Sequence, residues 1–176
     1  MGTKIYIIGF LFMFTLVHGF TQDISRKARR EKNKIEKQRL IDSLMNSKEF
    51  VFEAKRALPQ GGSSVDLTGN INFVKFHPEK IESYLPFFGR AYSIDYGGDG
   101  GIKFEGKPSG YTIVRRKGGK GFEVNATIRT PRDNYKLIIF VSPEGNASLT
   151  INSNQRSVIS YDGDIAKYAG DEENGK

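Results

Sequence analysis

Residues 122–129 read Phe-Glu-Val-Asn-Ala-Thr-Ile-Arg, an unbroken alternation of apolar and polar side chains. Because successive side chains of a β-strand point to opposite faces of the sheet, this alternation predicts a strand with one buried face and one face in water. A similar pattern recurs at residues 50–54, 71–76, 81–85, 102–105, 111–116, 135–141, 147–151 and 158–161. From about residue 50 onward, the sequence therefore predicts a domain built of β-strands.

Short polar connectors separate these predicted strands. Residues 117–121, 131–134 and 143–146 are rich in Gly, Pro, Asn and Asp, which favour tight turns. Eight or nine strands joined by hairpins must protect the two edges of their sheet. We predict a mainly β fold, an antiparallel meander that forms a lipocalin-like barrel or a strongly curved sheet. Ile138 and Phe140 are apolar on the second face of their strand, so its second half should be covered on both sides.

One N-terminal helix is predicted to precede the sheet. Residues 23–46 contain no Gly or Pro and are dominated by Arg, Lys, Glu, Gln and Leu, and Ser25 can cap the helix start. Ile35, Ile41 and Leu44 give a partial apolar stripe towards its C-terminal half. The helix is either a solvated spacer that packs on the domain at one end, or an arm that touches anionic lipid headgroups or polysaccharide.

The first residues have the features of an export signal: Lys4, then an apolar run at 5–17, then small side chains before residue 20. The run is shorter than the roughly 20 residues that cross a bilayer as a helix. We expect an exported protein, periplasmic or extracellular, whose mature chain begins near Phe20. The predicted organisation is a signal peptide at 1–19, a basic helical segment at 20–49, an all-β domain at 50–165 and a disordered tail at 166–176.

Composition and charge exclude several function classes. The chain has no cysteine, so thiol nucleophiles, zinc–thiolate sites and disulfide bonds are ruled out. Its net charge is +7, but residues 23–49 hold nine Lys or Arg against five Asp or Glu and so account for +4 of it. Because surfaces that follow nucleic-acid phosphates need clustered Lys and Arg on the folded domain, we expect no nucleic-acid partner.

One segment departs from the alternating pattern: residues 84–92 read Tyr-Leu-Pro-Phe-Phe-Gly-Arg-Ala-Tyr. One interpretation is structural, with the rings closing an end of the barrel and Arg90 stacking on a ring or binding a carboxylate. The other places the rings and Arg90 at the mouth of a cavity that accepts an apolar or aromatic ligand with an acidic group. The candidate ligand-binding residues are Tyr84, Phe87, Phe88, Arg90, Tyr92 and Tyr96.

Residues 85–92 also resemble a known family, together with Phe-Val-Phe-Glu-Ala at 50–54, Gly-Gly-Ile at 100–102 and Asn-Gln-Arg-Ser-Val-Ile-Ser at 154–160. This sequence is similar to the domain-of-unknown-function 4251 family of exported bacterial proteins, over residues 50–165. The resemblance implies an exported protein of this fold, for which a basic helix ahead of the domain is typical. It assigns no activity and no catalytic residue.

No catalytic or metal-binding pattern is visible. His77 sits at a predicted turn before Pro78, with no nucleophile or orienting carboxylate paired to it in the sequence. Four aspartates lie in predicted glycine-containing loops without the spacing of a calcium loop: Asp95, Asp99, Asp162 and Asp164. We expect no cofactor, no metal and no enzymatic activity. The predicted function is binding of a small apolar or acidic-apolar ligand in the cell envelope. The alternative is a structural or interaction module that holds an envelope protein or the membrane surface through the basic helix and the sheet.

Overall fold

The computed structural model describes residues 26–92 and 100–167, which form helix α1 at 26–47 and ten strands. The strands are β1 Phe50–Pro59, β2 Val65–Asp66, β3 Phe73–His77, β4 Lys80–Leu85, β5 Ile102–Gly106, β6 Pro108–Arg115, β7 Phe122–Arg129, β8 Asn134–Val141, β9 Asn146–Ser153 and β10 Ile159–Ala166. The predicted export signal, Ser25, Asp95, Tyr96, Asp99 and the tail after Lys167 lie outside the described residues.

The strands form a nearly closed, barrel-shaped antiparallel sheet. Its order is β5-β4-β3-β1-β10-β9-β8-β7-β6, with the short β2 paired to β1. The predicted mainly β fold with one preceding helix is confirmed. The order is not a simple meander, because the first long strand, β1, pairs with the last strand, β10. β5 and β6 stand at the two ends of this order, yet only Lys107 separates them in the chain.

The seam between β1 and β10 contains a β-bulge. The register shifts between Ala54 and Arg56, so Lys55 is an extra residue in β1. Gly163 lies opposite the bulge, and a Cβ atom there would overlap the carbonyl oxygen of Glu53. Glycine is therefore required at this point, because the backbones of the two strands approach too closely for a side chain.

β10 is longer than the sequence predicted. It continues from Ile159 to Ala166, whereas the prediction ended at residue 161. The prediction was wrong because Asp162, Gly163 and Asp164 have the composition of a loop. The glycine instead serves the bulge in the neighbouring strand, and both aspartates are part of β10.

Aromatic side chains fill the inner face of the sheet. Phe50 and Phe76 are fully buried, and their ring centroids are 4.7 Å apart. Phe104 in β5 stacks on Tyr135 in β8 at 4.4 Å, although the two strands are not neighbours in the sheet. Each large apolar side chain buried in this way stabilises the fold by roughly 1.5–3 kcal/mol. This packing stabilises a domain that has no disulfide bond.

The outer face of β8 differs from the prediction. Phe140 was expected to be covered but is 42% exposed, and Ile138 is only half-buried. The guanidinium carbon of Arg116 lies 5.0 Å from the centroid of the Phe140 ring. The prediction was wrong for Phe140 because an apolar residue on both faces of a strand does not by itself imply a second covering layer.

The C-terminal part of α1, from Gln38 onward, belongs to the same compact unit as the sheet. Ile41, Leu44 and Met45 are 3%, 7% and 2% exposed and join the core. The helix ends at Ser47, and the next residue, Lys48, has a φ of 60°. The Lys48 carbonyl accepts a hydrogen bond of 3.0 Å from the Tyr111 hydroxyl. The predicted packing of one end of the helix is confirmed.

The described residues ahead of Gln38, residues 26–37, belong to a separate unit. They are helical, and every one of them is exposed. These twelve positions carry seven Lys or Arg and two Asp or Glu, a net charge of +5. Lys32 and Glu36, one helical turn apart, are within 3.9 Å of each other.

Candidate functional site

The segment 85–92 follows β4 and runs alongside the connection between β9 and β10. The Tyr92 backbone N–H donates to the Gln155 carbonyl at 2.7 Å, and the Ser157 N–H donates to the Arg90 carbonyl at 2.9 Å. The two segments that are most distinctive in the sequence thus contact each other through their backbones.

Two residues fix the path of this segment. A Cβ atom at Gly89 would lie 2.6 Å from Ser157 Oγ and 2.7 Å from Phe87 Cζ, so any other residue at this position would force these side chains to shift. The hydroxyl of Tyr161, a fully buried residue, donates to the Pro86 carbonyl at 2.6 Å. Burial raises the pKa of Tyr161 well above its ordinary value of 10.0, so the hydroxyl remains a donor across the physiological range.

The predicted aromatic residues occupy two environments. Phe87 and Phe88 are half-buried and pack against the core. Tyr84 and Tyr92 are 45% and 71% exposed. Tyr96 lies outside the described residues. The two phenylalanines thus support the fold, while the two described tyrosines face solvent.

The arginine beside these rings is Arg156. Its guanidinium carbon lies 5.2 Å from the centroid of the Phe87 ring, and its Nη1 donates to the Gly100 carbonyl. Arg90 is exposed and contacts the β9–β10 connection through its backbone. The stacking that the sequence assigned to Arg90 is made by Arg156.

Tyr84 belongs to a row of side chains that crosses the outer face of three strands. Phe73 in β3, Tyr84 in β4 and Lys103 in β5 are direct cross-strand partners. The rings of Phe73 and Tyr84 are stacked with centroids 6.1 Å apart, and Lys103 Nζ is 4.0 Å from the Tyr84 centroid. The row places an ammonium group directly against an exposed aromatic surface.

Two members of this row, Tyr84 and Lys103, border a cleft of about 650 Å³. Ile71, which is 78% exposed, and Phe88 line it together with Tyr84 and Lys103. Of the predicted ligand-binding residues, Tyr84 and Phe88 line this cleft and the other described ones do not. We call this space the Tyr84 cleft.

The loop between β2 and β3 holds Ile71 in position. Leu67 at its start is 4% exposed, and its N–H donates to the Lys55 carbonyl at 2.9 Å. At its end the Asn72 carbonyl accepts a 2.9 Å bond from the Ala54 N–H. Ile71 is therefore exposed on a loop that is anchored to β1 at both ends.

A second cavity of about 390 Å³ lies against the same loop, and Ile71 and Phe73 line it as well. Lys75 Nζ lies 5.0 Å from the centroid of the Phe73 ring and 3.6 Å from a carboxylate oxygen of Glu82. Ile71 therefore lines both cavities, whereas Phe73 lines only this smaller one. Each cavity includes at least one lysine.

Sequence reasoning missed Ile71, Phe73 and Lys103. Their connection with Tyr84 depends on the register of β3, β4 and β5. The β3–β4 turn is short, so Phe73 could have been paired with Tyr84 from the sequence. Lys103 could not have been paired with Tyr84 from the sequence, because the connection from residue 86 to residue 101 has no pattern that fixes the pairing of β4 with β5.

The whole of this region falls within a recognised domain. A family model described as "Domain of unknown function (DUF4251)" matches residues 32–165, most of the chain. The chain belongs to the DUF4251 family. Its fold is similar to the crystal structure of a DUF4251 family protein from Bacteroides eggerthii DSM 20697, determined at 1.95 Å resolution. The match has 19% sequence identity and a TM-score of 0.58, and it covers 74% of this chain and 87% of that one. No curated protein matches the sequence.

Other ionisable groups of this DUF4251 domain have structural contacts. The carboxylate of Asp133, 7% exposed, accepts bonds from the N–H groups of Asn134 and Asn154 at 2.7 and 3.0 Å and from the Ser153 hydroxyl at 2.5 Å. His77 Nε2 lies 3.2 Å from a carboxylate oxygen of Glu49 on the surface.

Among the described residues, no cluster of three or more His, Asp or Glu is placed to hold a metal ion. None of the helical residues described forms a segment with the length and hydropathy needed to span a bilayer.

Proposed function

We propose that this DUF4251 protein binds a small ligand with an apolar body and one acidic group in the Tyr84 cleft. The observation that carries the proposal is the row of Phe73, Tyr84 and Lys103. Within the cleft, the exposed Tyr84 ring, which stacks on Phe73, offers a flat apolar surface. The ammonium 4.0 Å from the Tyr84 ring can donate to a carboxylate or sulfonate on the ligand.

The size and exposure of the cleft support the same ligand class. Its volume of about 650 Å³ falls in the range of roughly 300–1,000 Å³ that is typical of small-molecule sites. Ile71 is 78% exposed on an anchored loop, and covering it removes apolar surface from water. A flat aromatic acid would contact Ile71 on one side and Tyr84 on the other.

We also propose that the protein is exported and binds its ligand without converting it. The basic and apolar composition of residues 1–19 supports export to the periplasm or the cell exterior. The placement of Asp133 supports binding without turnover, because the backbone and a serine hydroxyl occupy its carboxylate oxygens.

A fluorescent acid tests the ligand proposal directly. Anilinonaphthalene sulfonate has two aromatic groups and one sulfonate, and its emission rises in an apolar site. We expect saturable binding to the folded protein, which Lys103→Gln weakens roughly five- to tenfold because it removes a charged hydrogen-bond donor. Tyr84→Ala should weaken binding to a similar extent by removing the central ring.

Two controls make the test specific. Lys136→Gln removes another exposed lysine, on the outer face of β8, and should leave the affinity unchanged. N-phenylnaphthylamine, which keeps the rings and lacks the sulfonate, should bind equally to the wild type and to Lys103→Gln. Equal affinity of Lys103→Gln and Lys136→Gln for the sulfonate would contradict the role of the ammonium. Equal affinity of Tyr84→Ala and the wild type would show that the ligand does not bind in the Tyr84 cleft.

Export has its own test. Expression of the full chain in a bacterial host, followed by fractionation and intact mass measurement, should give a periplasmic or secreted product that begins near Phe20. A cytoplasmic product that retains residues 1–19 would contradict export.

A second candidate function is a contact between the basic helix and an anionic surface. It is favoured by the +5 charge and full exposure of residues 26–37. Each Lys or Arg near an anionic membrane contributes about 1 kcal/mol of attraction. Sedimentation with phosphatidylglycerol vesicles should remove the protein from solution at low salt but not with phosphatidylcholine. Equal sedimentation of a variant with Arg29, Arg30 and Lys32 changed to Gln would contradict this function.

A further inference from the structure

A groove other than the two cavities described above crosses the outer face of β8, β9, β10, β1 and β2. Its floor is a row of direct cross-strand partners: Phe140, Ser148, Asp162, Arg56 and Asp66. Because adjacent strands are about 4.8 Å apart, this row is roughly 19 Å long. The groove has a volume of about 670 Å³ and runs across the strands.

Both signs of charge line this groove. Arg56, Arg116 and Lys120 supply cations, while Asp66 and Asp162 supply carboxylates. A polyanion would be repelled by the aspartates and a polycation by the basic side chains. A chain rich in hydroxyl groups avoids both conflicts, because a hydroxyl accepts from Arg or Lys and donates to a carboxylate.

One end of the groove offers an apolar platform. Phe140 is 42% exposed beside the Arg116 guanidinium, whose carbon lies 5.0 Å from the ring centroid, and the exposed part of the ring can contact the C–H face of a sugar ring. The buried hydroxyl of Ser142 also lines the groove and has no hydrogen-bond partner among the described residues. An aromatic surface beside carboxylates, guanidinium groups and hydroxyls matches the chemistry of a pyranose chain.

The sheet topology argues against a peptide in the same place. A peptide that adds as a strand needs a free sheet edge. β8, β9, β10 and β1 each have a hydrogen-bonded neighbour on both sides. A ligand that lies across these four strands must therefore be recognised by side chains.

We propose that the groove binds an oligosaccharide of pyranose units laid across the strands from β8 to β1. The groove and the Tyr84 cleft share Asp66 at one end, but Phe140, Ser148 and Asp162 line only the groove. The protein would then hold a glycan on one part of its outer face and a small acid on another.

A printed array of neutral and acidic pyranose oligosaccharides, probed with the labelled mature protein, tests this proposal. We expect binding to at least one glycan, measured afterwards in solution by calorimetry. Phe140→Ala and Asp162→Asn should each weaken that binding roughly tenfold, through lost stacking and a lost charged hydrogen bond. Ser148→Ala, a smaller change on the groove floor, should weaken it less and provides a variant whose folding is least at risk.

Matched controls separate this site from the rest of the surface. Val114→Ala changes another exposed apolar residue, 57% exposed on β6, and should leave glycan binding unchanged. Tyr84→Ala should leave it unchanged as well, while Phe140→Ala should not alter binding of anilinonaphthalene sulfonate. The two proposals can therefore fail independently.

Three results would overturn the glycan site. The first is that the wild-type protein binds no glycan on the array more strongly than the Phe140→Ala protein does. The second is binding that Phe140→Ala, Asp162→Asn and Ser148→Ala all leave unchanged. The third is binding limited to acidic glycans, abolished by salt and indifferent to Asp162→Asn, since that pattern needs only a basic surface.

Discussion

Removing one hydroxyl group should loosen the most distinctive segment of the chain. Tyr161→Phe keeps the ring of a fully buried residue and deletes the donor to the Pro86 carbonyl, 2.6 Å away. Pro86 directly precedes Phe87 and Phe88, which pack against the core. The substitution therefore tests whether β10 holds this segment through a single bond.

The expected loss can be derived from the geometry. The bond is short and its donor is buried, so its deletion leaves a carbonyl without its partner at a cost of about 1–2 kcal/mol. For a domain of this size a loss near 1.5 kcal/mol lowers the melting temperature by roughly 5 °C. Tyr111→Phe is the matched control, because its hydroxyl donates to the Lys48 carbonyl at 3.0 Å in an exposed setting. It should cost about 0.5 kcal/mol or less.

Urea unfolding followed by fluorescence gives the free energy of unfolding for both variants, and hydrogen exchange gives the local effect. In Tyr161→Phe, the Tyr92 amide, which donates to Gln155, should exchange faster than in the wild type. If Tyr161→Phe were as stable as Tyr111→Phe and exchange in this segment were unchanged, the bond to Pro86 would not organise the segment.

Two further predictions concern stability. Gly163→Ala should destabilise the fold by about 3 kcal/mol or more, because its Cβ would overlap the Glu53 carbonyl. Gly62→Ala is the control, because its Cβ would lie 3.5 Å from a proline ring carbon and should change stability by less than about 0.5 kcal/mol. Similar urea midpoints for Gly163→Ala and Gly62→Ala would refute the close approach of Gly163 to the Glu53 carbonyl. Hydrogen bonds from the Thr68 hydroxyl and N–H lower the pKa of Asp66 below its ordinary value of 3.8. The resulting stabilisation is present above the unfolded-state pKa and is lost as the pH falls through the folded value. Thr68→Ala should therefore lose less stability than the wild type on acidification below about pH 4, and parallel pH profiles from urea unfolding would contradict this.

Local patterns in the sequence predicted the elements that depend on near neighbours. The alternation at Phe122–Arg129 marks β7 in full, and the compositions of the following connectors mark the hairpins of β7, β8 and β9. In these strands the period of two and the turn residues agree, so little else is needed to fix the register.

Contacts between distant parts of the chain could not be predicted in this way. Gly163 is explained by the bulge at Lys55, more than a hundred residues earlier, and without that knowledge its neighbours resemble a loop. The candidate site shows the same division. Tyr84 and Phe88 stood out by composition, whereas Lys103 joins them only through a strand pairing that no local signal specifies.

The pairing of β1 with β10 has a consequence for how the protein is made. A ribosome releases Phe52 long before Ile165, yet these residues are partners in the finished sheet. The growing chain cannot complete the first long strand until almost the entire domain has been synthesised. During translation β1 must therefore remain unpaired along one side, and a chaperone can bind that side while the strand is still extended.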